Sequence, residues 1–311
     1  MMYYRQNPID DFRSFFERSS LLQRLIFLNT GVFLVVNILS LILWLFQLDN
    51  HPGGIPGISI IAYYFSVPSS LDALIVRPWT LLTYMFLHEN LFHLLFNMIV
   101  LYFGGRIFLE FFNEKKLLST YIIGGIVGAV FYIAAFNIFP VFRPSLSASV
   151  ALGASASVLA IFIAAAAYTP NYSIVILLFG RIKLKHLAWV VIAADILNIR
   201  TGNPGGHIAH LGGAFWGFAY VYMLKGGKDF SINFGTMDFR KFFGQFIKTG
   251  KTGQYRSSFD NKRPMTDDEY NFQQKMDQKK IDAILEKISK SGYSSLTIEE
   301  KAFLFQNSKK Q

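Results

Sequence analysis

The chain has 311 residues, a formal net charge of +10, no cysteine, and 52% hydrophobic against only 16% charged residues. Soluble chains carry about 25% charged residues, so this composition points to a membrane protein, and the charge has to be read against a bilayer before nucleic acid is considered. Lack of cysteine excludes a disulfide scaffold, a thiolate metal site and a cysteine nucleophile.

A bilayer core of about 30 Å needs about 20 mostly apolar residues per helix. Residues 1–24 read as a cytoplasmic, amphipathic N-terminal segment. The first span follows from Leu25 to Phe46, and as it is too long for a secretory signal it is expected to stay as an anchor. The second runs from Leu81 to Phe103 and the third from Leu117 to Phe139. The fourth, Val150 to Tyr168, is rich in Ala and Ser. The short apolar run Ile174 to Phe179 and the basic stretch Arg181 to Lys185 read as an interfacial hairpin. A fifth span covers His186 to Asn198, and a sixth, His207 to Leu224, follows the turn signal Asn203-Pro-Gly-Gly206. Fold class is therefore all-α, a six-span polytopic bundle over residues 25–224.

Beyond the last span, residues 225–264 form a basic juxtamembrane linker interleaved with Phe230, Phe234, Phe239, Phe242, Phe243 and Phe246, suited to an anionic leaflet. Nucleic acid is not expected as a partner. Residues 265–311 read as a small helical cytoplasmic domain. Its capping boxes are Thr266-x-x-Glu269 and Thr297-x-x-Glu300, and Ile281, Ile284, Leu285 and Ile288 share one helix face. Lys and Arg concentrate before the first span, between the second and third, between the fourth and fifth, and after the sixth. Both termini should then face the cytoplasm, with the loops bearing Arg77, Arg143 and Arg200 outside.

Polar side chains within spans are costly and mark functional sites. Those here are His88, His93, Asn97, Ser155, Ser157, Asp195, His207 and His210. His88 and His93 are five apart, about 140° around one helix, which does not suit a zinc protease's His-Glu-x-x-His face. A single intramembrane Asp excludes a carboxylate-dyad protease. A serine hydrolase needs a nucleophile, an imidazole base and oxyanion donors, and Ser155, His210 and the pair His93/Asn97 supply all three. His93 and Asn97, four apart, lie on one face. Gly213 and Gly217 follow His210 on a small face that lets helix backbones approach, and Gly153 lies beside Ser155. If the fourth helix enters near Ser147, Ser155 lies roughly 12 Å deep at 1.5 Å per residue.

At these residues the chain resembles the rhomboid intramembrane serine proteases. The resemblance rests on His88 with His93-Leu-Leu-Phe-Asn97, on Gly153-Ala-Ser155-Ala, and on Ala209-His210-Leu-Gly-Gly213-Ala-Phe-Trp-Gly217, over about residues 20–224. It implies a Ser155/His210 dyad without a carboxylate, an oxyanion hole from Asn97, His93 and the Ser155 N–H, and no metal or cofactor. By the same resemblance the substrates are transmembrane segments of other proteins, cut near their outer ends. Ala156, Leu159 and Thr80 depart from the family pattern, which usually has Gly after the nucleophile, a Tyr that stacks on the histidine, and Trp-Arg in the first loop. The rival reading is a rhomboid-like pseudoenzyme that binds transmembrane segments without cutting them. Among the remaining polar residues, Ser157 reads as bonded to its own helix, His207 as a solvated helix-end residue, Asp195 as an interfacial or loop-bonding carboxylate rather than a third member of a triad, and His88 as shaping the hole or holding a loop. Absence of a targeting peptide suits a bacterial inner membrane.

Overall fold

The computed structural model describes residues 19–48, 59–176, 180–232, 267–297, 299–301 and 303. The chain divides into two units, residues 1–237 and 238–311. The first is a bundle of α1 (Leu21–Leu45), α2 (Leu91–Phe111), α3 (Glu114–Ile138), α4 (Ser155–Tyr168), α5 (Leu184–Asn198) and α6 (Pro204–Lys225). Of these, α1, α2 and α3 are long and apolar enough to cross a membrane, whereas α4 has 14 residues. Residues 1–18 of the N-terminal segment, residues 233–264 of the juxtamembrane linker and Thr266 of the first tail capping box lie outside the described residues.

Helices α1, α2, α3 and α6 each start at a residue whose side chain accepts from the orphan N–H groups of the first turn. Ser20 and Gln23 form a capping box on α1, and the Glu114 carboxylate accepts the Leu21 N–H at 2.9 Å. Asn113 caps α3, accepting the Lys116 N–H at 3.0 Å. The Asn203 side chain accepts from Gly206 N at 2.9 Å with Pro204 in the first helical position, so the expected turn is the start of α6.

Two spans differ from the hydropathy reading. The stretch expected to be helical from Leu81 is broken: a short helix Thr80–Thr83 and a 3-10 turn Tyr84–Phe86 lead into a loop, and α2 begins after Asn90, whose side chain accepts the His93 N–H at 2.9 Å. The fourth span is helical only from Ser155. Before it, strand β2 (Val150–Ala151) pairs with β1 (Val67–Pro68) in the first loop, in the register Val67↔Ala151. Ser155 is thus not eight residues down a helix but at a helix start. The irregular approach is buried in protein, with Ala151 9% and Ala154 0% exposed, which is where non-helical backbone is tolerated at membrane depth. The expected hairpin is an antiparallel pair of β3 (Ser173–Ile176) and β4 (Gly180–Lys183).

The core lies where α3, α4 and α6 meet, with Tyr121, Tyr132, Tyr220, Ile161 and Phe108 fully buried. On α1 only Leu22, Leu25 and Asn29 are buried, while Leu34, Ile38, Leu41 and Trp44 stay exposed; an apolar face of that extent marks a lipid contact. Asn29 Nδ2 donates to Leu25 O at 2.8 Å and to the Tyr121 hydroxyl at 3.1 Å, and that hydroxyl donates to Met85 O at 3.2 Å.

The first loop is held at the end of the short helix Ile60–Phe65, whose last carbonyls lack intrahelical donors. The Arg77 guanidinium donates to Tyr63 O and lies 4.1 Å over the Tyr63 ring. Trp79 Nε1 reaches Tyr64 O at 2.9 Å, and Thr83 Oγ1 reaches Phe65 O at 2.7 Å. Thr80 bonds Arg77 O at 2.6 Å. Arg77, two residues before Trp79, thus anchors this loop to the helix end. Arg77→Ala is expected to destabilise the bundle by about 2 kcal/mol, the value of a charge-assisted hydrogen bond. Thermal unfolding in detergent checks this, and an unchanged midpoint would refute it.

In the second unit, α7 (Asp267–Ser291) precedes a second helical start. There Thr297 N donates to Glu300 Oε2 at 2.7 Å and Glu300 N to Thr297 Oγ1 at 3.2 Å, a reciprocal capping box. Lys287 pairs with Glu300 at 2.9 Å, and Ile284 and Leu296 are buried while Leu285 is exposed.

Candidate active site

The α4–α6 contact sets the geometry. A Cβ added to Gly213 would stand 2.1 Å from Ala156 O, and one added to Gly217 would stand 2.3 Å from Ala160 O. The two helices therefore touch backbone to backbone. His210 lies one turn before Gly213 and Ser155 directly before Ala156, so each stands within one turn of this contact on its own helix. Both are partly exposed. Among the described residues Ser155 Oγ makes no hydrogen bond; catalytic contacts are commonly long before substrate binds.

Gly153 joins this pair to α2. Its φ is +129°, a region side chains rarely adopt, and a Cβ there would lie 2.9 Å from His93 Nε2 and 3.6 Å from Ser155 Oγ. The His93 ring thus rests on the bare backbone of residue 153 beside the hydroxyl. Val158 N bonds to Ala154 O at 2.9 Å, so the N–H groups of Ser155, Ala156 and Ser157 precede the α4 ladder and point out of the helix start. Asn97 is buried and gives one amide hydrogen to His93 O at 2.9 Å; its second has no partner among the described residues.

Residues 76–226 match the rhomboid domain family. This segment is a rhomboid-family domain. The rhomboid domain is also 33% identical over 147 residues to "RHOMBOID-like protein 12, mitochondrial" of Arabidopsis thaliana, covering 44% of this chain and 44% of that relative. The chain thus spans less than half the length of the curated relative it matches. Residues 265–310, after the rhomboid domain, match a family of unknown function, DUF6576. With three helices fit to cross a bilayer, this rhomboid is an integral membrane protein with the intramembrane-protease-like fold of its family.

Several side chains of the rhomboid domain differ from their sequence reading. His88 is not on the α2 helix but in the loop before it, buried, its ring 5.2 Å from that of His93 in an edge-on contact. The 140° separation on one helix does not apply, because Asn90 starts a new helix between them. Ser157 does not bond back to its own helix; its hydroxyl lies 3.9 Å from Met85 Sδ. His207 is not a solvated end residue. Its Nδ1 and that of His210 each lie 2.8 Å from the same Oδ1 of Asp195, which is 6% exposed.

Asp195 and His207, counted among the polar residues of the spans but read as an interfacial carboxylate and a solvated helix-end residue, thus meet at His210. A signal was present: Asp195 stands three residues before the end of α5 and His207 three after the start of α6. A tight αα turn sets such positions opposite each other. Asp195, His207 and His210 also offer one ligand atom each within 4.8 Å of one another. A divalent cation held there would have to displace the Nδ1 hydrogens directed at Oδ1.

Proposed function

We propose that the chain is an intramembrane serine endopeptidase that cuts transmembrane segments of other proteins. The observation that supports this reading is the backbone contact of Gly213 with Ala156, one turn after His210 and directly after Ser155. Ser155 Oγ attacks the substrate carbonyl while His210 takes its proton through Nε2. The oxyanion is met by the Ser155 N–H, the free Asn97 amide hydrogen and the His93 ring. His210 then protonates the leaving amine, and water releases the acyl group. No metal or cofactor enters these steps.

A substrate helix hides its carbonyls in i to i−4 bonds and must unwind to be cut. The irregular approach to α4, lined by protein, supports a place where unwound backbone and water can be held away from lipid. We assign six crossings to α1–α6, both termini to the cytoplasm, the site to the outer side, and residues 225–264 and 265–311 to a juxtamembrane linker and a cytoplasmic helical domain. A bacterial inner membrane suits this arrangement. The pseudoenzyme alternative is disfavoured by the presence of both Ser155 and His210.

Purified protein should cleave a model transmembrane substrate and be labelled by a fluorophosphonate at Ser155, located by peptide mass spectrometry. Binding of substrate without cleavage or labelling would support the pseudoenzyme instead. Asn97→Ala should lower turnover by about 10²-fold, the usual cost of one oxyanion donor. An unchanged rate would remove Asn97 from that role.

A further inference from the structure

We propose that Asp195 is a positioning residue that holds His210 as a base, so that this site works as a carboxylate–imidazole–hydroxyl triad spread over α5, α6 and α4. The proposal rests on Ser155 and His210 being the reacting pair.

Three observations carry it. Asp195 is 6% exposed in a bundle of apolar helices, where an ionised carboxylate is costly unless its oxygens are paired. Its partners are imidazoles: Oδ1 lies 2.8 Å from Nδ1 of His207 and 2.8 Å from Nδ1 of His210, and Oδ2 has no hydrogen-bond partner among the described residues. The compensation for burying this group therefore comes through the two histidines. Finally, α6 brings both rings to the carboxylate from positions three apart, on one helix face.

The chemistry follows from donor and acceptor counts. An ionised carboxylate only accepts, so Nδ1 of His210 must carry its hydrogen and Nε2 must present a lone pair. That is the tautomer a base facing Ser155 needs. When the serine proton moves to Nε2 the ring becomes a cation, with Asp195 already beside it; the Nδ1 hydrogen stays in place and Asp195 stays ionised. His207, a second donor to the same oxygen, fixes the carboxylate's orientation without reaching into the reaction.

Two measurements test this. In the wild-type protein labelled with ¹⁵N-histidine, the His210 signals, assigned by their absence in His210→Ala, should report the Nδ1–H tautomer. A ring protonated at Nε2 instead would overturn the proposal, whatever the variants do. In cleavage assays Asp195→Asn should lower kcat by about 10³-fold, through loss of that tautomer, with KM within about twofold and the unfolding temperature nearly unchanged. Retention of wild-type kcat by Asp195→Asn, with Ser155→Ala inactive, would sink the triad and leave the dyad standing. Full cleavage by Ser155→Ala would instead sink the underlying reading, while the tautomer measurement would still report on the Asp195 contact.

Discussion

Ser155→Ala and His210→Ala are each expected to reduce cleavage of a transmembrane substrate to background, a loss on the order of 10⁶-fold where nucleophile and base act as one unit. The double variant should be no worse than either single one, because once either member is gone the other has no proton transfer to serve. Neither change should unfold the protein. Both side chains are partly exposed, and Ser→Ala removes one hydroxyl that makes no hydrogen bond among the described residues. Substrate cleavage by the purified variants, with thermal unfolding in parallel, checks this. Cleavage by Ser155→Ala at more than about a hundredth of the wild-type rate would mean that another group attacks the peptide.

Gly213→Ala should produce a large loss by another route. The added methyl would stand 2.1 Å from Ala156 O, 2.8 Å from Ala156 C and 2.9 Å from Ala156 Cα, all backbone atoms that cannot swing aside. Helices α4 and α6 would have to separate by more than an ångström, and overpacking of this kind costs about 1–3 kcal/mol or more. The same displacement carries His210 away from Ser155, and about 1 Å of misplacement can cost 10²-fold in rate. The expected result is a lowered unfolding temperature together with a turnover loss of about 10²-fold or greater. Gly31→Ala on α1 is a useful contrast, since an added Cβ there meets nothing within 4 Å. Wild-type activity in Gly213→Ala would show that the α4–α6 contact does not set the geometry of the reacting pair.

Much of the bundle is legible from residue order because bilayer-length apolar runs and helix caps are local signals. The extents of α1 and α3 follow from Leu21–Leu45 and Glu114–Ile138 being long apolar runs closed at their starts by Ser20 and Asn113. Hydropathy fails where polarity is sparse and the deciding contact is distant. The break before α2 is set by Asn90 acting as a cap inside an apolar stretch, and averaging over that stretch hides it. The late start of α4 depends on the positive φ of Gly153 and on Val67 pairing with Ala151, and that pairing has no imprint in residues 150–168 alone. The motif picks out Ser155, His210, His93 and Asn97, but it carries no position for Asp195 or His207. Those two become visible only once α5 and α6 are laid antiparallel across the Asn203 cap.

Helix length has a consequence for the lipid. At 1.5 Å per residue α1 is about 38 Å long and α5 about 22 Å, set against hydrocarbon about 30 Å thick. On the six-crossing reading proposed above, the longer helix fits by leaning over, and the shorter one, with Trp189, Val190, Ile196 and Leu197 exposed, leaves acyl chains beside it without apolar height to match. Such mismatch is relieved by compressing the surrounding leaflets. On that reading the annulus around this protein is uneven, deep along one flank and shallow along another.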